Sequence, residues 1–169
     1  MTTQELLQRA KAAKGAMALA DTGTKNRALL AMADALIDHT QPILTANGLD
    51  LIEAKGTVSN VMLDRLALSE ERIFGMAQGM REVAALPDPA GAVLRREERP
   101  NGLVIEKTAV PMGGVAILYE SRPNVTSDAA ALTLKAGSAC VLRCGKEAHR
   151  SAAVIVSALR EGLAAAGLP

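Results

Sequence analysis

Aromatic side chains are nearly missing from this chain: Phe74 and Tyr119 stand alone, and there is no tryptophan among 169 residues. Proteins that grip single-stranded nucleic acid stack bases on aromatic platforms, so that class is excluded. Charge of one sign is also lacking, with 19 Lys and Arg against 18 Asp and Glu. A balance so close to zero gives no overall steering toward nucleic acid or anionic membrane. No apolar run approaches the roughly 20 residues that span a bilayer, and Met1–Lys11 lacks the charged-then-apolar layout of a secretory leader. Two cysteines make no disulfide framework. His39 and His149 stand far apart, which supports neither a metal cluster nor a Ser/His/Asp set. A cytoplasmic protein without metal, nucleic acid or membrane partner is expected.

What is present is globular. Hydrophobic residues make up 49% and charged residues 22% of the chain, enough for one domain with a core of Ala, Leu, Val, Ile and Met. The first ninety residues read as helices. Thr2 and Glu5 fit a capping box. Thr24 is a candidate cap for a second helix, whose Leu29, Met32, Ala33, Leu36 and Ile37 form one buried stripe. Thr40 and Pro42 suit the start of a third helix, and Gly56 its end. Ser59 caps a short helix through Leu66. Ser69 caps a longer one with Ile73, Met76, Ala77, Met80 and Val83 inward, stopped by Pro87-Asp-Pro89. The acids Glu5, Asp50 and Asp64 fall on polar helix faces, where solvated surface is the default.

The texture changes at residue 93. Val93–Arg99 and Leu103–Val110 flank Pro100-Asn101-Gly102, a hairpin signal. The charged first arm suits a solvated edge or pairing with a second subunit. Gly114–Tyr119 reads as a buried strand, Asn124–Lys135 as a helix closed by Gly137, Ala139–Arg143 as a strand, and Ala148–Ala166 as a long amphipathic helix. Strand, helix, strand implies a parallel pair. Two parallel strands do not make a self-sufficient sheet, so the opening part of a larger protein is expected.

This order places Arg122, Asn124, Arg143 and Lys146 at the carboxyl ends of neighbouring strands, where open α/β sheets bind ligands. Arg143 and Lys146 suit phosphate contacts, against a default of ordinary surface cations. Asn124 has two readings: an oxyanion donor or an N-cap, and local sequence leans toward the cap. Cys144, beside Arg143 and Lys146, tempts as a lowered-pKa thiolate, but no base is positioned for it. Cys140 reads as core. Met112-Gly-Gly114 precedes its strand and is no dinucleotide fingerprint.

Tyr119-Glu-Ser-Arg-Pro-Asn-Val-Thr126, Leu134-Lys-Ala-Gly137 and Val141-Leu-Arg-Cys-Gly-Lys-Glu147 resemble the corresponding stretches of the glutamate-5-semialdehyde dehydrogenase family, within the aldehyde dehydrogenase superfamily. The resemblance extends, more loosely, over the rest of the chain. It implies NADPH-dependent reduction of L-glutamyl 5-phosphate in proline biosynthesis, through attack of a cysteine thiolate and hydride transfer to the thioester. It implies that residues 1–92 are the helical part of a cofactor domain, 93–110 the hairpin of an oligomerisation sheet joining identical subunits, and 111–169 the incomplete start of a Rossmann-like NADP-binding sheet. Asn124 matches the oxyanion asparagine, and Arg143, with Lys146, the cofactor ribose or 2′-phosphate contacts. Arg122 falls beside the substrate pocket. Neither Cys140 nor Cys144 occupies the family's nucleophile motif, so these residues alone are expected to be inactive. The rival readings are another aldehyde dehydrogenase, disfavoured by Arg122-Pro-Asn124, and a non-catalytic assembly fragment using the hairpin.

Overall fold

The computed structural model describes residues 2–169. Five helices come first: α1 (Thr3–Leu19), α2 (Thr22–Asp38), α3 (Thr40–Ala54), α4 (Asn60–Leu66) and α5 (Glu70–Ala85). Their starts are written locally. Thr2 and Glu5 form the reciprocal capping box of α1, and Ser59 and Ser69 accept from Met62 N and Arg72 N at the starts of α4 and α5. The second helix differs from expectation. Asp21, not Thr24, is its cap, with the carboxylate accepting from Thr24 N at 2.6 Å. The shorter, charged Asp side chain wins that position, and Thr24 enters the first turn.

Helix α2 is the spine. Its Ala28, Leu29, Met32, Ala33 and Leu36 are fully buried, packed with Ile73, Ala77 and Met80 of α5. On its other flank lie Ile155, Ala158 and Leu159 of the last helix, α7 (His149–Ala165). Ala84 is buried where Val83 was expected, and Val83 packs half-buried at the margin. With so few rings available, close packing of Ala, Leu and Met fills this core.

Strands β1 (Val93–Glu98) and β2 (Val104–Thr108) form an antiparallel hairpin. Gly102 N donates to Arg99 O at 2.9 Å, and Gly102 takes φ +81, closing the turn around Pro100-Asn101. Both arms are exposed.

Strands β3 (Gly114–Leu118) and β4 (Ala139–Arg143) pair in parallel, joined through α6 (Asn124–Lys135). Helix α6 ends in a Schellman cap: Ser138 N donates to Thr133 O and Gly137 N to Leu134 O, each at 2.9 Å, with Gly137 at φ +69. The same motif closes α7 at Gly167. One expectation is corrected here. Strand β3 is not buried: Val115 and Ile117 pack inward, while Gly114, Ala116 and Leu118 face solvent. Its only sheet neighbour among the described residues is β4, which leaves its other edge unpaired. No helix among the described residues is long and apolar enough to cross a membrane.

Candidate active-site cleft

The carboxyl ends of β3 and β4 are held together by their following loops. Tyr119 N donates to Arg143 O at 3.0 Å, extending the ladder, and Ser121 Oγ donates to Glu147 Oε2 at 3.0 Å. Gly145 makes that approach possible: a Cβ there would meet Glu147 Oε2 at 2.9 Å and Ser121 Oγ at 3.0 Å. The Tyr119 hydroxyl shares a 2.7 Å hydrogen bond with Thr126 Oγ1, tying the strand end to the first turn of α6.

That first turn decides what Asn124 does. Pro123 already sits in the helical region at φ −59, ψ −31, and takes the cap position without a side-chain cap bond. Proline's fixed φ suits a helix start. Asn124 is therefore the first helical residue and not an N-cap, which overturns the reading that local sequence favoured. Its amide points along the helix surface instead, where Nδ2 donates to Asp128 Oδ2 at 3.3 Å.

Asn124, Arg122 and Asp128 line one side of an open cleft of about 520 Å³. The opposite wall comes from α4, α5 and the segment between them, with Asp64, Arg65, Leu68, Arg72 and Met76. Arg72 is part of the wall's framework: Nη1 donates to Asp64 O at 2.6 Å and Ala67 O at 2.7 Å, and Nη2 meets Asp64 Oδ1 at 3.1 Å. Protein atoms around the Asp128 carboxyl raise its pKa by desolvation, partly opposed by the Asn124 amide.

The four residues singled out in the sequence do not converge on one cavity. Arg122 and Asn124 line the cleft, whereas Arg143 and Lys146 do not. Arg143 ends β4 and Lys146 opens a short 3₁₀ turn, Lys146–Ala148; both are exposed, with no ion-pair partner among the described residues. Sequence reasoning missed Arg65, Arg72 and Asp128. Asp128 carried one usable signal, its spacing of four from Asn124 on a helix. The arginines carried none, because tertiary packing alone brings α4 and α5 to α6.

No family profile matches the chain. Individual proteins do. Over 163 residues the chain is 55% identical to the gamma-glutamyl phosphate reductase of Streptococcus pneumoniae strain Hungary19A-6, a match covering 96% of this chain and 39% of the relative. Proteins from other strains of that species, at the same identity and coverage, carry the same name. The reductase of Thermotoga maritima superposes with a TM-score of 0.95 at 38% identity, over 98% of this chain and 40% of that one. The Saccharomyces cerevisiae reductase gives 0.88 at 30% identity, over 100% and 45%. An acetylating aldehyde dehydrogenase of Geobacillus thermoglucosidasius, at 18% identity and a TM-score of 0.71 over 98% and 34%, shares the fold. The chain thus spans about two fifths of the length of the reductases it matches.

The surroundings of the two thiols do not favour the thiolate. Burial pushes both Cys140 and Cys144 up, and the opposing effect of Arg143 on Cys144 is smaller. A nucleophilic thiol needs the opposite, surroundings that lower its pKa.

Proposed function

We propose that this chain forms one part of an NADPH-dependent reductase converting L-glutamyl 5-phosphate to L-glutamate 5-semialdehyde and phosphate in proline biosynthesis. The observation that carries this reading is Asn124, freed from capping and presenting its amide in a cleft rich in arginine. The 55% identity to the reductases over nearly the whole chain supports it.

In this reading Asn124 Nδ2 donates to the acyl oxygen as negative charge develops there. A fixed donor at such a position contributes about 2.7–4 kcal/mol of transition-state stabilisation in comparable sites. Arg122, two residues earlier on a proline-stiffened loop, offers its guanidinium to the phosphoryl group. Arg143 and Lys146 fit an anionic cofactor, because both are exposed cations at a strand's carboxyl end with no ion-pair partner among the described residues. NADPH supplies the hydride when bound, and these two residues hold its ribose phosphate. The nucleophilic thiol comes from outside these residues. The exposed β1–β2 hairpin, with Val93, Leu94, Val104 and Ile105 facing solvent, serves subunit assembly.

The test is Asn124→Ala in the complete reductase carrying this segment. Turnover should fall at least tenfold with KM for substrate nearly unchanged, and the unfolding midpoint should stay put because no cap is lost. Unchanged turnover removes Asn124 from the chemistry. Arg143→Ala should raise KM for NADPH more than for NADH; equal effects would end the 2′-phosphate assignment.

A further inference from the structure

The cleft holds three guanidinium and two carboxylate side chains, Arg65, Arg72, Arg122, Asp64 and Asp128. Arg72 and Asp64 neutralise each other, and Arg72 is also bound to two backbone carbonyls. That leaves Arg65, Arg122 and Asp128 without an ion-pair partner among the described residues. Two cations and one anion face the open space. Asp128 has only the long 3.3 Å contact from Asn124, and its desolvated carboxyl gains from any cation that arrives.

From this arrangement, and resting on the reductase reading above, we propose that the cleft reads the whole zwitterionic amino-acid end of its substrate, Asp128 binding the α-ammonium group. Arg65, across the cleft, takes the α-carboxylate, and Arg122 the phosphate. The charges complement one another: the ligand offers two anionic groups and one cation to two cations and one anion. The spacing agrees. Asp128 lies one helical turn beyond Asn124, a rise of about 6 Å. A γ-glutamyl acyl carbon is four bonds from its α-nitrogen, roughly 5 Å at about 1.5 Å per bond. With the acyl oxygen at Asn124, the ammonium group falls near Asp128. The long amide–carboxylate contact then gives way to two separate ligand contacts. A partly desolvated carboxylate held only by a long amide contact also favours a ligand that brings an ammonium group over one that lacks it.

The experiment uses the complete reductase in the reverse direction, with phosphate and NADP⁺, on L-glutamate 5-semialdehyde and on 5-oxopentanoate, which lacks the amino group. Wild type should prefer the amino-acid substrate. Asp128→Asn, which keeps the shape and an acceptor oxygen, should cut kcat/KM on glutamate semialdehyde by roughly 10- to 100-fold. The drop on 5-oxopentanoate should be at least tenfold smaller, so the preference collapses. Asp128→Glu, which keeps the charge, should retain most of the preference. Equal losses on both substrates would mean that Asp128 acts only by holding Asn124, and would overturn the proposal. So would a preference unchanged in Asp128→Asn, or lost equally in Asp128→Glu. Wild type inactive on both substrates would instead refute the reductase reading itself, and this inference with it.

Discussion

At the scale of single residues, long-range polar partners were the hidden part. Asp50 reads as a solvated acid on a helix face, and that expectation fails. It is 2% exposed, and its carboxylate caps the start of α7, accepting from Ser151 N at 2.8 Å, Ser151 Oγ at 2.7 Å and Arg150 N at 3.3 Å. Ser151 lies 101 positions away, so no local pattern reveals the pairing. Beside it Asn47, also buried, donates to Leu66 O and Ser151 Oγ and accepts from Leu68 N at 2.8 Å. This pair therefore fixes the arginine-bearing wall of the cleft through Leu68. A carboxylate at a helix N-terminus is favoured by both the free amides and the helix dipole. Asp50→Ala leaves those donors buried and unmatched, a loss of about 2–3 kcal/mol. In urea titrations of the complete protein the midpoint should fall accordingly. A change below about 0.5 kcal/mol would return Asp50 to the solvated class.

Elements were more legible because their signals are local. Capping side chains marked α1, α4 and α5, and the glycines at 137 and 167 marked the Schellman ends of α6 and α7. Strand β4 and helix α6 fall on the residues that their patterns indicated. The start of α6 misled for a physical reason: Pro123 was itself helical, which moved the cap back one residue and released Asn124. How helices cross was not legible. At Gly162 of α7 a Cβ would sit 2.5 Å from both Met32 Cα and Met32 N, and 2.7 Å from Ala31 C. These are backbone atoms of α2 and cannot swing aside. Two opposed effects then compete in Gly162→Ala. Helix propensity gains up to about 1 kcal/mol, while overpacking against backbone costs about 1–3 kcal/mol or more. The clash should win, giving a net loss of at least 1 kcal/mol in chemical unfolding. Gly79 of α5 has nothing within 4 Å of such a Cβ, so Gly79→Ala should be neutral or stabilise by about 0.5–1 kcal/mol. A Gly162→Ala variant that was neutral or stabilised would show that the α2–α7 contact is looser than its geometry.

Over the whole molecule, buried cations hold distant elements together: Lys25 ties α2 to the segment after α5, and Lys135 ties α6 to both helices. Lys25 is 2% exposed and meets both Asp88 oxygens, at 3.0 and 2.9 Å, just past the proline stop after α5. Lys135, at the end of α6, is 3% exposed and donates to Asn26 Oδ1 at 2.7 Å and Ala84 O at 2.9 Å. Lysines are rarely buried unless paired, and here both partners lie on other elements. The cluster makes stability depend on acid pH in a definite direction. Burial alone would raise the Asp88 carboxyl, but hydrogen bonds from Lys25, Ala90 N and Thr22 Oγ1 outweigh it and hold it below its ordinary 3.8. A carboxylate lowered in the folded state stabilises fully above its unfolded pKa, and that contribution is lost as pH falls through the folded value. Lys135 has the opposite character. Desolvation lowers it from 10.5, with Asp88 opposing and Lys25 assisting, so the unfolded chain binds that proton more tightly and stability rises as Lys135 deprotonates in alkali. Comparing wild type with Asp88→Asn separates Asp88 from the other carboxylates that titrate in acid. Asp88→Asn should therefore be destabilised relative to wild type at pH 7, by about 3 kcal/mol, because the buried Lys25 loses its anionic partner. The gap should begin to narrow as pH drops below about 4, where the unfolded chain takes up the Asp88 proton, and close as the folded carboxylate does the same at lower pH. A gap that stayed constant from pH 7 to pH 3 in unfolding titrations would mean that Asp88 acts through shape and neutral hydrogen bonds, with its charge contributing nothing to the contact with α2.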